Sequence, residues 1–270
     1  MTEQNERPII AFDTSTAALA AAITNGQQVL GEIQSFAERN HSVYIVVHLK
    51  QLLKECGVSG EELGAVAVGR GPGSYTGMRI AVSAAKTLAW VWNKPLIGIS
   101  SLEALAYGAW HRGLEIEAGQ ASSAELKATD WVLPIMDARR GQVYTAGYAM
   151  SASGEWSHFN GDGVRLMHNW VDQITEQATD PSSEVKRIWV VGDLSLHEEE
   201  ANRLRHLCET IGIEVRMMSY ELEGRWVAYL GRLRLEAGDI DDTHTLTPNY
   251  TQLTEAEVNL KAKESGELPS

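Results

Sequence analysis

Positive charge is scarce in this sequence and does not cluster. The chain has 23 Lys and Arg against 36 Asp and Glu in 270 residues, a formal net charge of −13. Neutralising nucleic-acid phosphates or an anionic membrane requires grouped Lys and Arg side chains. Pairs such as Arg139 and Arg140 are too short for this, and we interpret them as solvated. The composition therefore argues against a protein that binds nucleic acid or a membrane by itself.

Cysteine and long apolar runs are also scarce. The two cysteines, Cys56 and Cys208, lie far apart in the sequence. The first residues contain no apolar segment of the kind found in secretory signals. The most apolar windows, residues 17–23 and 80–92, are too short to span a membrane or carry Lys86. We expect a cytoplasmic protein with no membrane span and with both thiols free.

The glycine-rich segment after residue 65 lacks the features of the two common phosphate loops. Its glycines are Gly69, Gly71, Gly73 and Gly77, and we call the last three the glycine turn. A Walker loop requires Lys after its last glycine, where Met78 stands here, and the motif G-x-G-x-x-G requires glycine where Ser74 stands. Two interpretations remain: a tight strand-to-helix turn, or an anion site at the start of a helix.

Hydrophobic patterns in the first third of the chain predict a mixed sheet flanked by helices. Strands are predicted over residues 8–12, 17–23, 29–35, 66–69 and 96–99, and helices over residues 42–56, 78–92 and 102–111. Three strands joined in sequence and then alternating helices and strands are the order of the ribonuclease-H-like unit of actin-like proteins.

The second half partly repeats this order, which indicates a duplicated unit with the second copy shortened. Strands are predicted over residues 131–136, 143–148 and 187–191, and helices over residues 166–177, 198–211 and 220–237. We predict an α/β fold of two actin-like (ASKHA, ribonuclease-H-like) subdomains, the second one degenerate. The first comprises residues 1–103 and 213–240, the smaller second comprises residues 104–212, and residues 241–270 form a partly mobile tail.

A polar turn of Asp13, Thr14 and Ser15 joins the first two predicted strands. Actin-like enzymes hold phosphate and magnesium at such a turn, because a carboxylate positions a hydrated cation and hydroxyls bond phosphate oxygens. The alternative is a turn closed by its own Asx-type hydrogen bonds. In the second repeat, Ala138 and two arginines follow Asp137 where glycine and hydroxyl residues would suit phosphate. We interpret the Asp13 turn as a vestigial nucleotide site and expect no cofactor.

The sequence offers neither a metal site nor a nucleophile that stands out. His41 and His48 lie seven residues apart on a predicted helix, about 10 Å along its axis. Two histidines on one zinc ion must each bring a nitrogen to about 2 Å from the metal, so His41 and His48 cannot share one without a break in the helix. His111 has no histidine four residues away, and we expect it at the surface or in an interface. We therefore predict no catalytic residue and no metal.

The predicted helices over residues 42–56 and 78–92 carry more apolar residues than one contact with a sheet requires. Small residues in the second helix would let another helix approach closely. We predict a partner interface on these helices, and the alternative is that both helices are internal. The predicted interface residues are His41, Tyr44, Ile45, His48, Leu52, Tyr75, Met78, Arg79, Val82, Ala85, Lys86 and Ala89.

Five segments together resemble the TsaB (YeaZ) family. They read I-A-F-D-T-S-T-A-A-L at residues 10–19, V-G-R-G-P-G-S-Y-T-G-M-R-I at 68–80, G-I-S-S-L-E-A-L-A at 98–106, M-D-A-R-R-G-Q-V-Y at 136–144, and P-N-Y before E-A-E at 248–257. The glycine segment is the most specific of them. Gln252 departs from the family, where arginine is expected, so a tail contact that depends on that charge is in doubt.

The resemblance implies a cytosolic, noncatalytic paralogue of the TsaD subunit. The H-x-x-x-H motif of that catalytic relative is absent from this sequence. The protein's role would be to help make threonylcarbamoyladenosine beside the anticodon of tRNAs that read codons starting with A. Its partners would be TsaD, which transfers the carbamoyl group, and the ATPase TsaE. Alone, the protein would form a homodimer. It would bind tRNA only through the complex. The alternative is an actin-like ATPase or glycoprotease-type enzyme active by itself.

Overall fold

The structure, a computed structural model, describes residues 7–36, 41–118, 128–180 and 182–251. The strands are β1 (Ile9–Asp13), β2 (Leu19–Asn25), β3 (Gln28–Ser35), β4 (Ala65–Gly69), β5 (Leu96–Ile99), β6 (Thr129–Asp137), β7 (Gln142–Met150), β8 (Trp156–Leu166), β9 (Val185–Gly192) and β10 (Glu214–Ser219). The helices are α1 (His41–Cys56), α2 (Tyr75–Trp92), α3 (Ser101–Ala118), α4 (Met167–Thr179), α5 (Glu198–Glu209) and α6 (Gly224–Glu236).

Two five-stranded sheets contain these strands, in the orders β3-β2-β1-β4-β5 and β10-β9-β6-β7-β8. Each sheet begins with an antiparallel pair, β1 with β2 and β6 with β7, and continues with parallel pairing of β1 to β4 and of β6 to β9. Counted from its own first strand, the second sheet has the same order as the first. The predicted α/β fold of two repeated units is confirmed.

The second unit is not shortened, which corrects that part of the prediction. The predicted strands did not include β8 and β10, which are the two edge strands of the second sheet. The side chains of β8 are half-buried or exposed, and the strand contains Asn160, Gly161 and Gly163. An edge strand of this composition lacks both the apolar alternation and the residue types that predict a strand.

Alternate residues of β1 face two different helical layers, as expected for a strand buried on both faces. Ile10 and Phe12 pack with residues of α1 and α2, whereas Ile9 and Ala11 pack with residues of α3 and α6. α3 and α6 also contact each other, and α3 contacts β6, β7 and β9 of the second sheet. These two helices therefore lie between the sheets and join the two units.

The predicted boundary between the units, at residue 213, differs from the structure, in which the second sheet includes β10. β10 pairs in parallel with β9, so it belongs to the second sheet, although the prediction assigned it to the first unit. α6 packs against β1, β2, β4 and β5. Of the predicted partly mobile tail, residues 252–270 lie outside the described residues. Among those described, no helix is long and apolar enough to cross a membrane.

Candidate functional site

Asp13, the last residue of β1, is completely buried, with 0% of its surface exposed. Its Oδ1 accepts hydrogen bonds from the backbone N–H and the hydroxyl of Ser15, both at 2.6 Å. Its Oδ2 accepts one from the hydroxyl of Ser101 at the start of α3. Burial raises the pKa of Asp13, and the hydrogen bonds from Ser101 and Ser15 oppose that shift. Both carboxyl oxygens are therefore engaged by donors of this chain.

The glycine turn reaches the same carboxyl through Ser101. The Ser101 hydroxyl donates to Asp13 and accepts the backbone N–H of Gly71 at 3.0 Å. Gly71 has a φ of +95°, in a region that residues with a side chain rarely adopt. A Cβ on Gly69, at the end of β4, would lie 1.6 Å from Oδ2 of Asp13. Glycine at these two positions is thus required by the backbone conformation and by the close approach of Asp13.

The rest of the glycine turn packs on Thr14 and Ser15. Thr14 donates its hydroxyl to the carbonyl of Gly77 at 2.8 Å, and a Cβ on Gly77 would lie 1.8 Å from the carbonyl oxygen of Thr14. The backbone N–H of Ser74 donates to the carbonyl of Ser15 at 2.7 Å, and a Cβ on Gly73 would lie 2.4 Å from that oxygen. The structure therefore brings the two predicted turns together, and each fills the space in front of the other.

The corresponding turn of the second repeat, between β6 and β7, is also closed by its own hydrogen bonds. Asp137 Oδ1 accepts the backbone N–H of Arg139 at 3.1 Å and lies 3.1 Å from Nε2 of the buried His197. Arg139 and Arg140 have φ values of 65° and 55°. An aspartate that closes its own turn explains this motif without a ligand.

Half of the predicted interface residues belong to the core of this chain, which corrects that part of the prediction. These buried side chains are Ile45, Leu52, Met78, Val82, Ala85 and Ala89. All of them except Met78 belong to the cluster that packs on the first sheet, and with Leu49 and Ala81 included the buried residues of each helix recur every three or four positions in a stripe. Periodicity identifies such a stripe but does not say whether a sheet or a partner covers it.

The other predicted interface residues have different environments. Tyr44, Tyr75 and Arg79 are exposed, and His48 and Lys86 are half-buried. The side chain of His41 lies outside the described part of the structure. Whether these residues contact a partner stays a prediction.

A second set of apolar residues on α1 and α2, which the interface prediction missed, is exposed. Val46 and Val47 of α1 are 55% and 59% exposed, and Val91 of α2 is 61% exposed. α1 and α2 contact each other, and Ala84 of α2 is half-buried. We call Val46, Val47, Ala84 and Val91 the helical flank. The signal that could have identified them is their position off the stripe that faces the sheet.

No group of three His, Cys, Asp or Glu side chains that could hold a metal ion occurs in the part of the chain that the structure describes. His111, expected at the surface or in an interface, is half-buried among aromatic rings and stacks on Trp226 with ring centroids 4.9 Å apart. Burial lowers the pKa of His111, which favours its neutral form. This histidine therefore contributes to packing between α3 and α6.

The sequence is similar to proteins of tRNA threonylcarbamoyladenosine biosynthesis. The family described as TsaD, tRNA N6-adenosine threonylcarbamoyltransferase, matches residues 19–158. The chain is 32% identical over 250 residues to the tRNA threonylcarbamoyladenosine biosynthesis protein TsaB of Bacillus subtilis, covering 92% of this chain and 96% of that protein. It is also 32% identical over 170 residues to TsaB of Escherichia coli, covering 62% of this chain and 67% of that protein.

Solved structures agree on the fold. A structure described as YeaZ from Pseudomonas aeruginosa superposes with a TM-score of 0.65 at 20% identity, covering 90% of this chain and 99% of that chain. A second structure, described as a protein with similarity to peptidase YEAZ from the same organism, has a TM-score of 0.66 at 20% identity and covers 91% and 100% of the two chains. At this identity the likeness shows the arrangement of elements alone.

Proposed function

Since this chain belongs to the TsaB family of tRNA threonylcarbamoyladenosine biosynthesis proteins, we propose that it is a noncatalytic partner subunit in that biosynthesis. A TsaD-type subunit transfers the threonylcarbamoyl group, and a TsaE-type ATPase joins the complex. The modified position lies beside the anticodon of tRNAs that read codons starting with A. With a net charge of −13, this chain contacts tRNA only through its partners.

The closure of the Asp13 turn is the observation that carries the proposal. An actin-like ATPase needs an accessible carboxylate for a hydrated cation and open donors for phosphate. Here Asp13 is completely buried, and both of its oxygens accept hydrogen bonds from Ser15 and Ser101. A cation could reach the buried carboxylate of Asp13 only if the packing around it opened. The geometry supports a turn that now stabilises the first unit.

The helical flank supports the role of partner. Exposed apolar side chains on adjacent helices favour association, because a partner removes them from water. The match to TsaD spans residues 19–158 and so includes α1 and α2. A TsaD-type subunit with related helices can therefore meet the flank in a nearly symmetric pair, and a second copy of this chain takes that place when the chain is alone.

Charged substitutions on the flank test this proposal. Val47→Arg and Val91→Arg are expected to fold, because both residues are exposed, and to weaken association with a TsaD-type subunit by about a hundredfold or more, because a charge would be buried without a partner. Leu196→Arg is the matched control, since Leu196 is 74% exposed and lies between β9 and α5, away from the flank. Unchanged co-purification and sedimentation of the two flank variants would show that the proposed face is wrong.

The second candidate is an enzyme active by itself, which the match to TsaD motivates. The closed Asp13 turn disfavours it. Titration calorimetry of the isolated chain with magnesium and ATP separates the two functions. The partner role predicts no measurable heat of binding, whereas tight binding that Asp13→Ala abolishes would establish the enzyme instead.

A further inference from the structure

The chain does not leave the molecule after α6 but returns along the edge of the first sheet. The backbone N–H of Asp241 donates to the carbonyl of Leu96 at 2.8 Å, and Oδ2 of Asp241 accepts the N–H of Gly98 at 2.8 Å. Leu246 is buried and lies so close to Gly98 that a Cβ there would be 3.0 Å from it. We call residues 239–251 the clasp.

The clasp is also fastened to α2 by two residues of the predicted partner surface. The ammonium group of Lys86 donates to the carbonyls of His244 and Leu246, each at 3.0 Å. The ring of Tyr250 packs on the ring of Tyr75 with centroids 5.2 Å apart. A partner that covers the start of α2 would therefore meet the clasp as part of the same surface.

One residue of the clasp is bonded to the loop after β4 and to the edge strand β8 of the second sheet. The backbone N–H of Asn249 donates to the carbonyl of Arg70, which follows β4, at 2.7 Å. Its side-chain amide donates to Oδ2 of Asp162 in β8 at 2.9 Å. β8 is the edge strand of the second sheet. Asn249 thus closes a link between the two units that is independent of α3 and α6.

The carboxylate of Asp162 accepts hydrogen bonds from three side chains, one of which is Asn249. It is half-buried and also accepts the hydroxyl of Ser100 at 2.8 Å and that of Tyr148 at 3.2 Å. A desolvated carboxylate without hydrogen bonds is costly, so removing one donor weakens the contact between the units. The other charged or titratable groups that act on Asp162 are Arg70, Glu103, Tyr148 and Arg165.

We infer that residues 239–251 form a clasp that couples the partner surface on α2 to the contact between the two units. Seating the clasp orders Tyr250 on Tyr75 and, through Asn249, draws β8 toward the glycine turn. A partner that binds the ordered surface then need not order it, which favours binding to the clasped state. The partner side of this inference rests on the proposed function, whereas the link between the units does not.

Hydrogen exchange of the isolated full chain tests the link. Asn249→Ala keeps the backbone bond to Arg70 but loses the bond to Asp162, and it should raise exchange about tenfold in the peptide covering residues 158–163. Asn202→Ala is the matched control, because it removes an exposed amide that bonds a backbone carbonyl within α5. Unchanged exchange at residues 158–163 in N249A would overturn the inference.

A second variant distinguishes the link from a general loss of packing. Asn249→Asp places a carboxyl opposite Asp162, so it should open the clasp at about pH 7 and let it close near pH 5, where the pair shares a proton. N249A should remain open at both values, after correction for the intrinsic pH dependence of exchange. Equal behaviour of N249D and N249A across this range would contradict a direct bond to Asp162.

The coupling is tested by measuring affinity for a TsaD-type subunit with the same proteins. N249A and Lys86→Met, which releases the clasp from α2, should each weaken binding about tenfold, and N202A should not. Faster exchange with unchanged affinity would refute the coupling. Failure of the proposed function would look different, because the unsubstituted chain would then not bind the subunit, while its exchange would still decide the link.

Discussion

Replacing Asp13 with alanine removes the acceptor of three hydrogen bonds inside the protein. Ser15 would lose partners for its N–H and hydroxyl, and Ser101 for its hydroxyl. A hydrogen bond to a charged group contributes about 1.5–3 kcal/mol, and the desolvation that raises the pKa of Asp13 offsets part of the sum. We therefore expect Asp13→Ala to lower the free energy of unfolding by about 2–4 kcal/mol.

Urea unfolding with linear extrapolation measures this change, and a fall in Tm of about 4–7 °C should accompany it. The matched control is Asp193→Ala. Asp193 makes the same pair of bonds to the N–H and hydroxyl of Ser195, at 3.1 and 2.7 Å, but it is exposed. The control should change stability by about 0.5 kcal/mol or less. Equal effects of the two substitutions would refute the argument that the buried Asp13 turn stabilises the first unit.

The remaining predictions concern packing and charge. Gly77→Ala should destabilise by about 1–3 kcal/mol in urea melts, because its Cβ would lie 1.8 Å from the carbonyl oxygen of Thr14; wild-type stability would contradict this. Ala85→Arg should unfold the chain, since Ala85 is completely buried. A variant that circular dichroism shows to be folded would mean that α2 can rotate to bring this position to the surface. Burial raises the pKa of Glu103 above its ordinary value of 4.5, so ionising this residue in the folded protein lowers the free energy of unfolding. That loss is present above the raised pKa and disappears as pH falls toward 4.5. Glu103→Gln should therefore be more stable than wild type at about pH 7, with a difference that disappears near pH 4.5 in paired urea melts; a constant difference would argue against a raised pKa.

Strands that are fully buried, apolar and bounded by clear turns could be predicted from the sequence. β1, β4 and β5 each occur within a residue or two of their predicted limits. β8 and β10 could not be predicted in the same way. Their side chains are mostly half-buried or exposed, so their place depends on pairing with β7 and β9 and not on an apolar pattern of their own.

The environment of Asp13 could be predicted only in part. Its motif indicates a closed turn or a phosphate site, and local sequence does not decide between them. The deciding residue is Ser101, 88 positions away, whose hydroxyl reaches Oδ2 of Asp13. The same limit applies to α2, where Ala85 and Val91 are both apolar but only the fold determines that the first is buried and the second exposed.

The most direct test of the partner role is the formation of threonylcarbamoyladenosine in tRNA by purified subunits. We predict that this chain alone forms no product, that adding it to TsaD-type and TsaE-type subunits raises product formation until it reaches a one-to-one ratio with the TsaD-type subunit, and that Val47→Arg abolishes this gain while Leu196→Arg retains it. Product formed by this chain alone, or a full yield when it is omitted, would contradict the account.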